Sequence, residues 1–279
     1  MTPIPDKAKG PTAPGASGGP APGTPAAAAP WPVVPMLNAY VHDLSMDELV
    51  ASLDRGLLLT LHVDSIMKMQ TDREFREVMD QFDVVTCDSQ IMYFGTKFLG
   101  TPVKERVSGS DFFPKYYARH RDNPDVTVFL LGGQEGIAEI ARQRINEKVG
   151  REFVVGTYAP AFDFDRKPEE IERMIEAVNA SGATVLLVGL GGGRQEKFIV
   201  AYRDRFPNVH SFLPLGGTID YEAGTFARPP AWVTEWGFEW LYRLVKEPRQ
   251  RWRRYLLHEP PFLWQLLRQR LGIYRDPFA

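Results

Sequence analysis

The sequence contains few of the residues that form disulfides or bind metals. Cys87 is its only cysteine, so no disulfide can form within the chain, which weakly favours a reducing compartment. The five histidines show no spacing typical of metal ligands. No apolar run approaches the ~18 residues of a membrane-spanning helix, and no basic segment followed by an apolar one marks a signal peptide. We therefore expect no disulfide, resident metal, cofactor, signal peptide or spanning helix.

Net charge is small as well, at −2 for 279 residues, so we expect no nucleic-acid partner for the chain as a whole. The charge is unevenly distributed, however. Residues 225–275 contain ten Lys and Arg against four Asp and Glu, which leaves the remainder of the chain acidic. A basic segment on an acidic body predicts a surface that meets phosphates or an anionic membrane.

Composition divides the chain into three parts. Residues 1–35 hold ten Pro, five Gly and eight Ala, have little to bury, and are expected to be disordered. Residues 36–224 are expected to form an α/β domain whose order begins near Val41, with Ser45 and Glu48 as a capping box for its first helix. Residues 225–279 are expected to form a basic, Trp-rich helical appendage, without which the α/β core should still fold.

Six short apolar runs alternate with stretches of helical spacing, which predicts a parallel sheet with helices on both faces. The predicted strands are residues 57–63, 84–86, 126–131, 153–156, 184–188 and 210–215. The predicted helices are residues 65–82, 91–99, 134–150 and 169–179, and a further one through Tyr202. In such sheets ligands bind beyond the carboxyl ends of the strands. The residues at these ends are Thr60, His62, Asp88, Gly132, Gly189 and Gly216, and their convergence predicts a ligand site.

The most distinctive of these ends is the glycine turn that follows residues 184–188. The strand runs into Gly189, Gly191, Gly192 and Gly193 and then into a helix. A strand, a glycine turn and a helix N-terminus together present backbone N–H groups to an anion, and glycine lets a phosphate or sugar approach the backbone. A tight turn with nothing bound is the alternative. A dinucleotide site fits poorly, because the following strand lacks the acidic residue expected about 20 residues on.

Asp88 directly follows a buried strand. A carboxylate that is partly desolvated in a cleft can act as a general base, and the alternative is an N-cap for the helix at residues 91–99. His62 is a candidate ligand or proton carrier. Cys87 is a weaker candidate nucleophile, because no histidine or acid is placed by the sequence to activate it.

A second acidic signal is the segment Asp163-Phe-Asp165, which resembles the DxD signature with which many sugar-nucleotide transferases bind a divalent metal. Any two acids two residues apart in a loop would match it. Because Arg166, Lys167 and Pro168 follow directly, we favour a solvated loop before a helix.

The residues after Gly224 differ in character from the rest. Five of the six tryptophans lie there, and Trp236, Trp240 and Leu244 share one helical face. The arginines interleaved with them are Arg243, Arg249, Arg251, Arg253 and Arg254. Trp and Arg on short helices are typical of a water–lipid interface. A helical appendage that packs on the core with solvated arginines is the alternative, and both can hold together.

Six blocks of the sequence resemble motifs of the WecG/TagA/CpsF glycosyltransferases, glycosyltransferase family 26. Residues 189–197 (GLGGGRQEK) resemble the family's GLGxPKQEKW. Residues 60–62 (TLH), 87–89 (CDS) and 105–111 (ERVSGSD) resemble its TxN, (A/P)DG and ERVxGxD. Residues 216–224 (GGTIDYEAG) and 239–249 (EWLYRLVKEPR) resemble GGTFDFxAG and EWLYRLxxEPxR. The blocks occur in the family's order.

The resemblance implies a Rossmann-like α/β enzyme. It implies transfer of a sugar, with inversion and without a metal, from a UDP-sugar to a polyprenyl-diphosphate-linked sugar in bacterial cell-surface polysaccharide biosynthesis, such as that of exopolysaccharide or teichoic acid. The enzyme would be cytoplasmic and peripheral on the inner face of the cell membrane, which is anionic. The implied catalytic residues are Asp88 as the base, with Thr60, His62, Arg106 and Gln195. The implied nucleotide-sugar residues are Gly132, Gly133, Gly189, Gly191, Arg194, Glu196, Gly216, Gly217 and Asp220. The residues implied for the acceptor and the membrane are Arg243, Arg249, Arg253 and Arg254.

The sequence departs from the family pattern at three places. His62 replaces an Asn, Asp88-Ser89 replaces Asp-Gly, and Gly193-Arg194 replaces Pro-Lys. The family's usual N-acetylmannosamine specificity is therefore not carried over, and the transferred group is a hexosyl or an N-acetylhexosaminyl group. A competing hypothesis is a non-catalytic nucleotide-binding scaffold that docks a partner through its basic tail and does not need Asp88. Whether the chain forms a homo-oligomer stays open.

Overall fold

The computed structural model describes residues 30–227, 229–246 and 248–279, and gives only the backbone of residues 231, 243, 250, 251 and 254. The strands are β1 Val33–Met36, β2 Ala39–His42, β3 Gly56–Leu61, β4 Val84–Cys87, β5 Val128–Gly132, β6 Val154–Tyr158, β7 Val185–Gly189 and β8 Ser211–Leu213. Six of them form one sheet in the order β4-β3-β8-β7-β5-β6, and every pairing is parallel. The predicted α/β fold with a six-stranded parallel sheet is confirmed.

The first two strands are a difference from the prediction. β1 and β2 form an antiparallel hairpin, so order begins at Val33 rather than near Val41. Val34, Met36 and Val41 are buried in the core. Composition averaged over residues 1–35 concealed this strand, because its few apolar residues follow a long segment rich in Pro, Gly and Ala. Residues 1–29 of the predicted disordered segment lie outside the described residues.

Helices connect and cover the strands. They are α1 Met46–Ser52, α2 Val63–Met69, α3 Arg73–Met79, α4 Gln90–Leu99, α5 Gly109–Arg119, α6 Ile137–Val149, α7 Pro168–Ser181, α8 Arg194–Tyr202, α9 Gly216–Ala223, α10 Ala231–Glu235, α11 Glu239–Lys246, α12 Pro248–Arg253 and α13 Pro261–Arg270. Single helical turns lie at Phe164–Arg166, Arg203–Arg205 and Arg254–His258.

Local capping explains where several helices begin. Ser45 and Glu48 form the predicted capping box of α1, with Ser45 N donating to Glu48 Oε2 at 2.7 Å. The predicted helix at residues 65–82 is two helices, because Asp72 caps a new one at α3. The sequence analysis missed α5, whose first residue is Gly109 and which contains Pro114, both poor helix formers.

The sheet separates two layers of core. Alternate residues of each strand point to opposite faces, so Leu59 of β3 packs with residues of α2, α3, α7 and α8. Its neighbour Leu58 packs with residues of α1, α5, α6 and α9. Because both faces are covered, the strands are predominantly apolar, as expected for a parallel sheet.

The C-terminal helix α13 belongs to the first of these layers. Phe262 and Leu266 are only 1% and 3% exposed, and a Cβ atom added at Gly95 of α4 would lie 3.0 Å from Leu266 Cδ1. Further along, Arg76 Nη1 of α3 pairs with Asp276 Oδ2 at 2.6 Å. Part of the segment 225–279 therefore packs into the core, whereas the expectation that the α/β core folds without this segment stays a prediction. None of the helices in the described part of the chain is long and apolar enough to span a membrane.

Candidate active site

A cavity of about 550 Å³ opens at the carboxyl ends of the sheet strands. Residues that follow β3, β4, β5, β7 and β8 line one wall of it. The predicted site residues on its lining are Thr60, His62, Asp88, Gly133, Gly189, Gly191, Gln195, Glu196, Gly216, Gly217 and Asp220. The predicted convergence of strand ends is thus present in the fold, whereas the roles of these residues stay predictions.

Asp88 sits at the start of the loop between β4 and α4. Its backbone N–H donates to Leu61 O at 3.0 Å, which ties the end of β4 to the end of β3. The N-cap of α4 is Ser89, whose Oγ accepts from Met92 N at 3.2 Å. The alternative interpretation of Asp88 as the N-cap is therefore wrong, and Asp88 lies on the cavity lining.

Arg106 lies behind Asp88 and is not on the cavity lining. Its Nη1 donates to the backbone oxygen of Asp88 at 3.1 Å, and its Nη2 pairs with Asp111 Oδ2 at 3.0 Å. Asp111 is held in turn by the hydroxyl of Ser108, which donates to the same oxygen at 2.7 Å. The prediction that Arg106 lines the site is thus corrected, because its guanidinium braces the Asp88 loop.

His62 lines the cavity and also caps α2. Its Nδ1 accepts from Ser65 N at 3.2 Å. Asn, the family residue at this position, is also a favoured N-cap, because its side-chain oxygen accepts the same kind of bond. The departure from the family pattern therefore preserves the cap while presenting an imidazole to the cavity.

Three successive N–H groups, at the end of the glycine turn after β7 and the start of α8, have partners inside the protein. Gly193 N donates to Glu196 Oε2 at 2.6 Å, and the N–H groups of Arg194 and Gln195 both donate to Gly191 O at 3.1 Å. The expectation that this turn presents free N–H groups to an anion is therefore wrong for three successive residues. Gly191 and Gly193 have φ angles of +90° and +87°, so glycine is required there by the turn itself.

Gly132 also serves packing and is not on the cavity lining. A Cβ atom there would overlap the carbonyl of Gly189 on the neighbouring strand β7, so only glycine fits between β5 and β7. Gly189 in turn faces α9, where an added Cβ would lie 2.8 Å from Ile219 Cδ1 and 3.3 Å from Gly216 Cα. Of the two glycines predicted here, Gly133 lines the cavity and Gly132 does not.

Arg194 turns away from the cavity. Its Nη2 donates to Phe162 O and pairs with Asp165 Oδ1 at 3.1 Å, and its guanidinium lies 4.4 Å from the centre of the Phe164 ring. Arg194 therefore anchors the loop after β6, and its predicted contact with a diphosphate stays a prediction. No lining residue comes from that loop.

The same loop contains the DxD segment. Asp165 pairs with Arg194, and Asp163 pairs with Lys167 at 2.8 Å, and both carboxylates are about half exposed. The favoured interpretation as a solvated loop agrees with these contacts. Across the described ranges, no group of three or more His, Cys, Asp and Glu is arranged to hold a metal ion.

Two buried groups near the site have shifted pKa values. Burial raises the pKa of the Glu196 carboxyl, whose two oxygens accept from Gly193 N and from Gln195 Nε2 at 2.9 Å. Burial raises the pKa of Cys87 to about 12. The thiol is therefore protonated near neutral pH, which argues against Cys87 as a nucleophile.

A second wall of the cavity comes from the C-terminal region and consists of Gly237, Glu239, Trp240, Tyr255 and Glu259. Sequence reasoning assigned no role to most of these residues. The rings of Trp240 and Tyr255 have centroids 6.1 Å apart. Glu239 and Trp240 lie in the block EWLYRLVKEPR, which is a signal that points to them, whereas no pattern singles out Tyr255 or Glu259.

The helices that carry this wall expose apolar and basic side chains on their outer side. Trp232, Trp236 and Trp252 are exposed, as are Arg249 and Arg253. The guanidinium of Arg253 lies 5.4 Å from the centre of a Trp252 ring. The side chains of two further predicted arginines, Arg243 and Arg254, lie outside the described residues.

Comparison with models of known protein families relates the chain to a glycosyltransferase family. Residues 34–276 match the model of the Glycosyl transferase WecG/TagA/CpsF family. The match covers nearly the whole chain and includes both the sheet and the C-terminal helices. The resemblance predicted from the six sequence blocks is confirmed.

Proposed function

Because the chain belongs to the WecG/TagA/CpsF family, glycosyltransferase family 26, we propose that it is an inverting transferase that uses a UDP-sugar and a polyprenyl-diphosphate-linked sugar. The family consists of glycosyltransferases of cell-surface polysaccharide biosynthesis and in general implies a nucleotide-sugar donor and a lipid-linked acceptor. The identity of the nucleotide, the inversion and the form of the lipid are our proposal, as is a hexosyl or N-acetylhexosaminyl group.

The observation that supports this proposal is the position of Asp88. Its side chain belongs to the wall of a cavity of about 550 Å³, within the ~300–1,000 Å³ typical of small-molecule sites. The cavity has a rigid wall at the strand ends and a second wall from helices with exposed Trp and Arg. A soluble donor and a membrane-bound acceptor can therefore approach it from different sides.

The proposed reaction is a single displacement. The acceptor hydroxyl attacks C1 of the donor sugar from the face opposite UDP, and Asp88 takes the hydroxyl proton, because a hydroxyl is a poor nucleophile near neutral pH. The bond between C1 and the UDP oxygen breaks, and its electron pair leaves with the diphosphate. Developing charge on UDP is stabilised by backbone N–H groups at the first turn of α9, at Gly216 and Gly217.

We further propose that the reaction needs no resident metal. Asp163 and Asp165 are paired with Lys167 and Arg194, so the one metal-like signature in the sequence is engaged elsewhere. Turnover should survive EDTA. Loss of turnover on chelation, restored by added Mg²⁺ or Mn²⁺, would contradict this part of the proposal.

The outer surface of α10 to α12 supports a peripheral position on the inner face of the cell membrane. Exposed Trp and Arg are the residues that gain most at an anionic interface. In this proposal, residues 229–259 form the membrane-facing part, whereas α13 and the residues after it are part of the α/β unit.

The direct test is release of UDP from a panel of UDP-sugars with a short-chain lipid diphosphate-sugar as acceptor. We expect release that depends on the acceptor and a product whose anomeric configuration is inverted. A scaffold protein would bind UDP without releasing it from any UDP-sugar, and that result would overturn the proposal in favour of the non-catalytic hypothesis.

A further inference from the structure

Two buried side chains connect the two glycine turns that line the cavity. One turn lies at Gly191–Gly193 before α8, and the other at Gly216–Gly217 opens α9. Gln195 and Glu196, on the first turn of α8, lie between them and are only 7% and 4% exposed. Their side chains are bonded to each other, and each also has a partner outside α8: Gly193 of the first turn for Glu196, and Pro214, two residues before the second turn, for Gln195.

Glu196 holds the first turn. Its Oε2 accepts from Gly193 N at 2.6 Å, and its Oε1 accepts from Gln195 Nε2 at 2.9 Å. Each carboxylate oxygen therefore has a partner inside the protein. The carboxylate is bound to the turn on one side and to the amide of Gln195 on the other.

Gln195 carries the connection to the second turn. Its Nε2 also donates to Pro214 O at 3.0 Å, at the end of β8 and two residues before Gly216. Because both amide hydrogens face acceptors, the amide cannot rotate by 180° without placing its oxygen against two other oxygens. The orientation of this side chain is therefore fixed by its neighbours.

The remaining polar atom of Gln195 is buried against the second turn. Its Oε1 has no hydrogen-bond partner in the described part of the chain, and a Cβ atom added at Gly216 would lie only 3.0 Å from it. Leaving a buried acceptor unpaired costs free energy. The two hydrogen bonds of Gln195 Nε2 hold the amide in this position. They therefore maintain the connection between the turns despite the free-energy cost of the unpaired Oε1.

On the cavity side the two turns are bare. Cβ atoms added at Gly191, Gly192 or Gly217 would meet no other atom within 4 Å, and all three residues line the cavity. A ligand can therefore approach the backbone of both turns at once. Its fit depends on how the turns are placed relative to each other.

We infer that Gln195 and Glu196, although both lie on the cavity lining, are positioning residues whose polar groups set the relative placement of the two glycine turns and do not themselves contact the substrate. The inference rests on the proposed function, because it assigns these turns to the nucleotide sugar. It replaces the expectation that Gln195 is catalytic and that Glu196 binds the ligand.

The test uses two near-isosteric variants of the full chain. Glu196→Gln keeps an oxygen that can accept from Gly193 N, but its amide nitrogen is a donor and cannot accept from Gln195 Nε2. Gln195→Met keeps the side-chain volume and removes every hydrogen bond of the amide. Glu170→Gln is the matched control, because Glu170 is also buried and accepts a backbone N–H, from Ala161 at 3.1 Å, but lies outside the cavity lining.

The first measurement is amide hydrogen exchange followed by mass spectrometry. Each test variant should raise the exchange rates of peptides that contain Gly191–Gly193 and of peptides that contain Gly216–Gly217, by roughly tenfold for the loss of one buried hydrogen bond. The control should leave both peptides unchanged. Faster exchange at only one turn would overturn the inference, because the side chains would then support a single turn.

The second measurement is the affinity for UDP and the kinetics with UDP-sugar. We expect UDP binding to weaken roughly tenfold in each variant, no further loss in the double variant, and a rise in KM with kcat little changed. A fall in kcat without a change in exchange would mean that Gln195 contacts the substrate, which contradicts the inference. If each variant raises exchange at both turns but the protein binds no UDP, the connection between the turns is upheld and only the proposed function is contradicted.

Discussion

The two walls of the cavity are built from different kinds of structure. The wall at the strand ends is formed where the strands of a parallel sheet, buried on both faces, come to an end. It contains Thr60, Asp88 and Gln195. The second wall, with Trp240 and Tyr255, comes from short helices that expose tryptophans. The residues proposed for the chemistry thus lie on the wall with a buried core behind it, whereas the residues proposed for the lipid contact lie on the helices with exposed side chains.

The second wall is nevertheless anchored. Helix α13 follows it directly and packs Phe262 and Leu266 into the core beneath α4. Tyr274 then donates its hydroxyl to Gln70 Oε1 at 2.8 Å, and Asp276 pairs with Arg76. The exposed helices α10 to α12 are thus held between the core at one end and α13 at the other.

The largest effect on stability should come from removing this anchor. Phe262→Ala deletes a fully buried aromatic ring, which typically costs about 3–5 kcal/mol of unfolding free energy. Trp264→Ala, on the same helix, removes a larger ring that is exposed and should cost far less. Denaturant unfolding followed by circular dichroism measures both. Equal losses for the two variants would mean that α13 is not anchored through Phe262.

A smaller effect should appear at the membrane. Arg249→Glu with Arg253→Glu should reduce co-sedimentation with anionic vesicles, because each arginine near such a surface contributes about 1 kcal/mol. Binding of the unmodified chain should weaken as salt rises, with a remainder from the aromatic side chains. The control reverses two exposed charges elsewhere, Lys115→Glu with Arg119→Glu on α5. If both double variants lose binding to the same extent, only net charge matters and the helices have no special role.

The smallest effect is expected at Cys87, which is buried next to Asp88 and is not on the cavity lining. Because burial raises its pKa to about 12, the thiol stays protonated at every pH well below that value and should resist alkylation in the folded protein. Cys87→Ala should keep turnover close to that of the unmodified chain. Rapid labelling at neutral pH together with lost turnover in this variant would restore Cys87 as a nucleophile.

Sequence reasoning predicted the sheet and the location of the site because both depend on short, regular patterns. Apolar runs followed by Gly, Asp or Thr mark strand ends, and a parallel sheet brings those ends together. The capping box at Ser45 was predictable for the same reason, since its two residues are neighbours in the chain. The direction of Arg194 was not predictable, because its partner Asp165 lies on a different loop.

The sequence patterns likewise could not predict which distant segments of the chain pack against each other. Nothing in the periodicity of α13 distinguishes a helix that packs on α4 from one that lies on a membrane, since both need an apolar face. The glycine turn illustrates a related difficulty. Its glycines predicted an anion site, yet Glu196 and Gly191 O take up three of its N–H groups, and only the hydrogen-bond partners reveal that.

We have proposed that Asp88 acts as the general base of a glycosyl transfer. The most direct measurement compares kcat for UDP release and the affinity for UDP in Asp88→Asn and in the unmodified chain. Asp64→Asn, which removes another carboxylate of the cavity lining, separates the loss of a base from the loss of charge. We predict that Asp88→Asn lowers kcat by ~10² to 10⁴ while UDP affinity stays nearly intact. If Asp88→Asn turns over at a rate close to that of the unmodified chain, Asp88 is not the base.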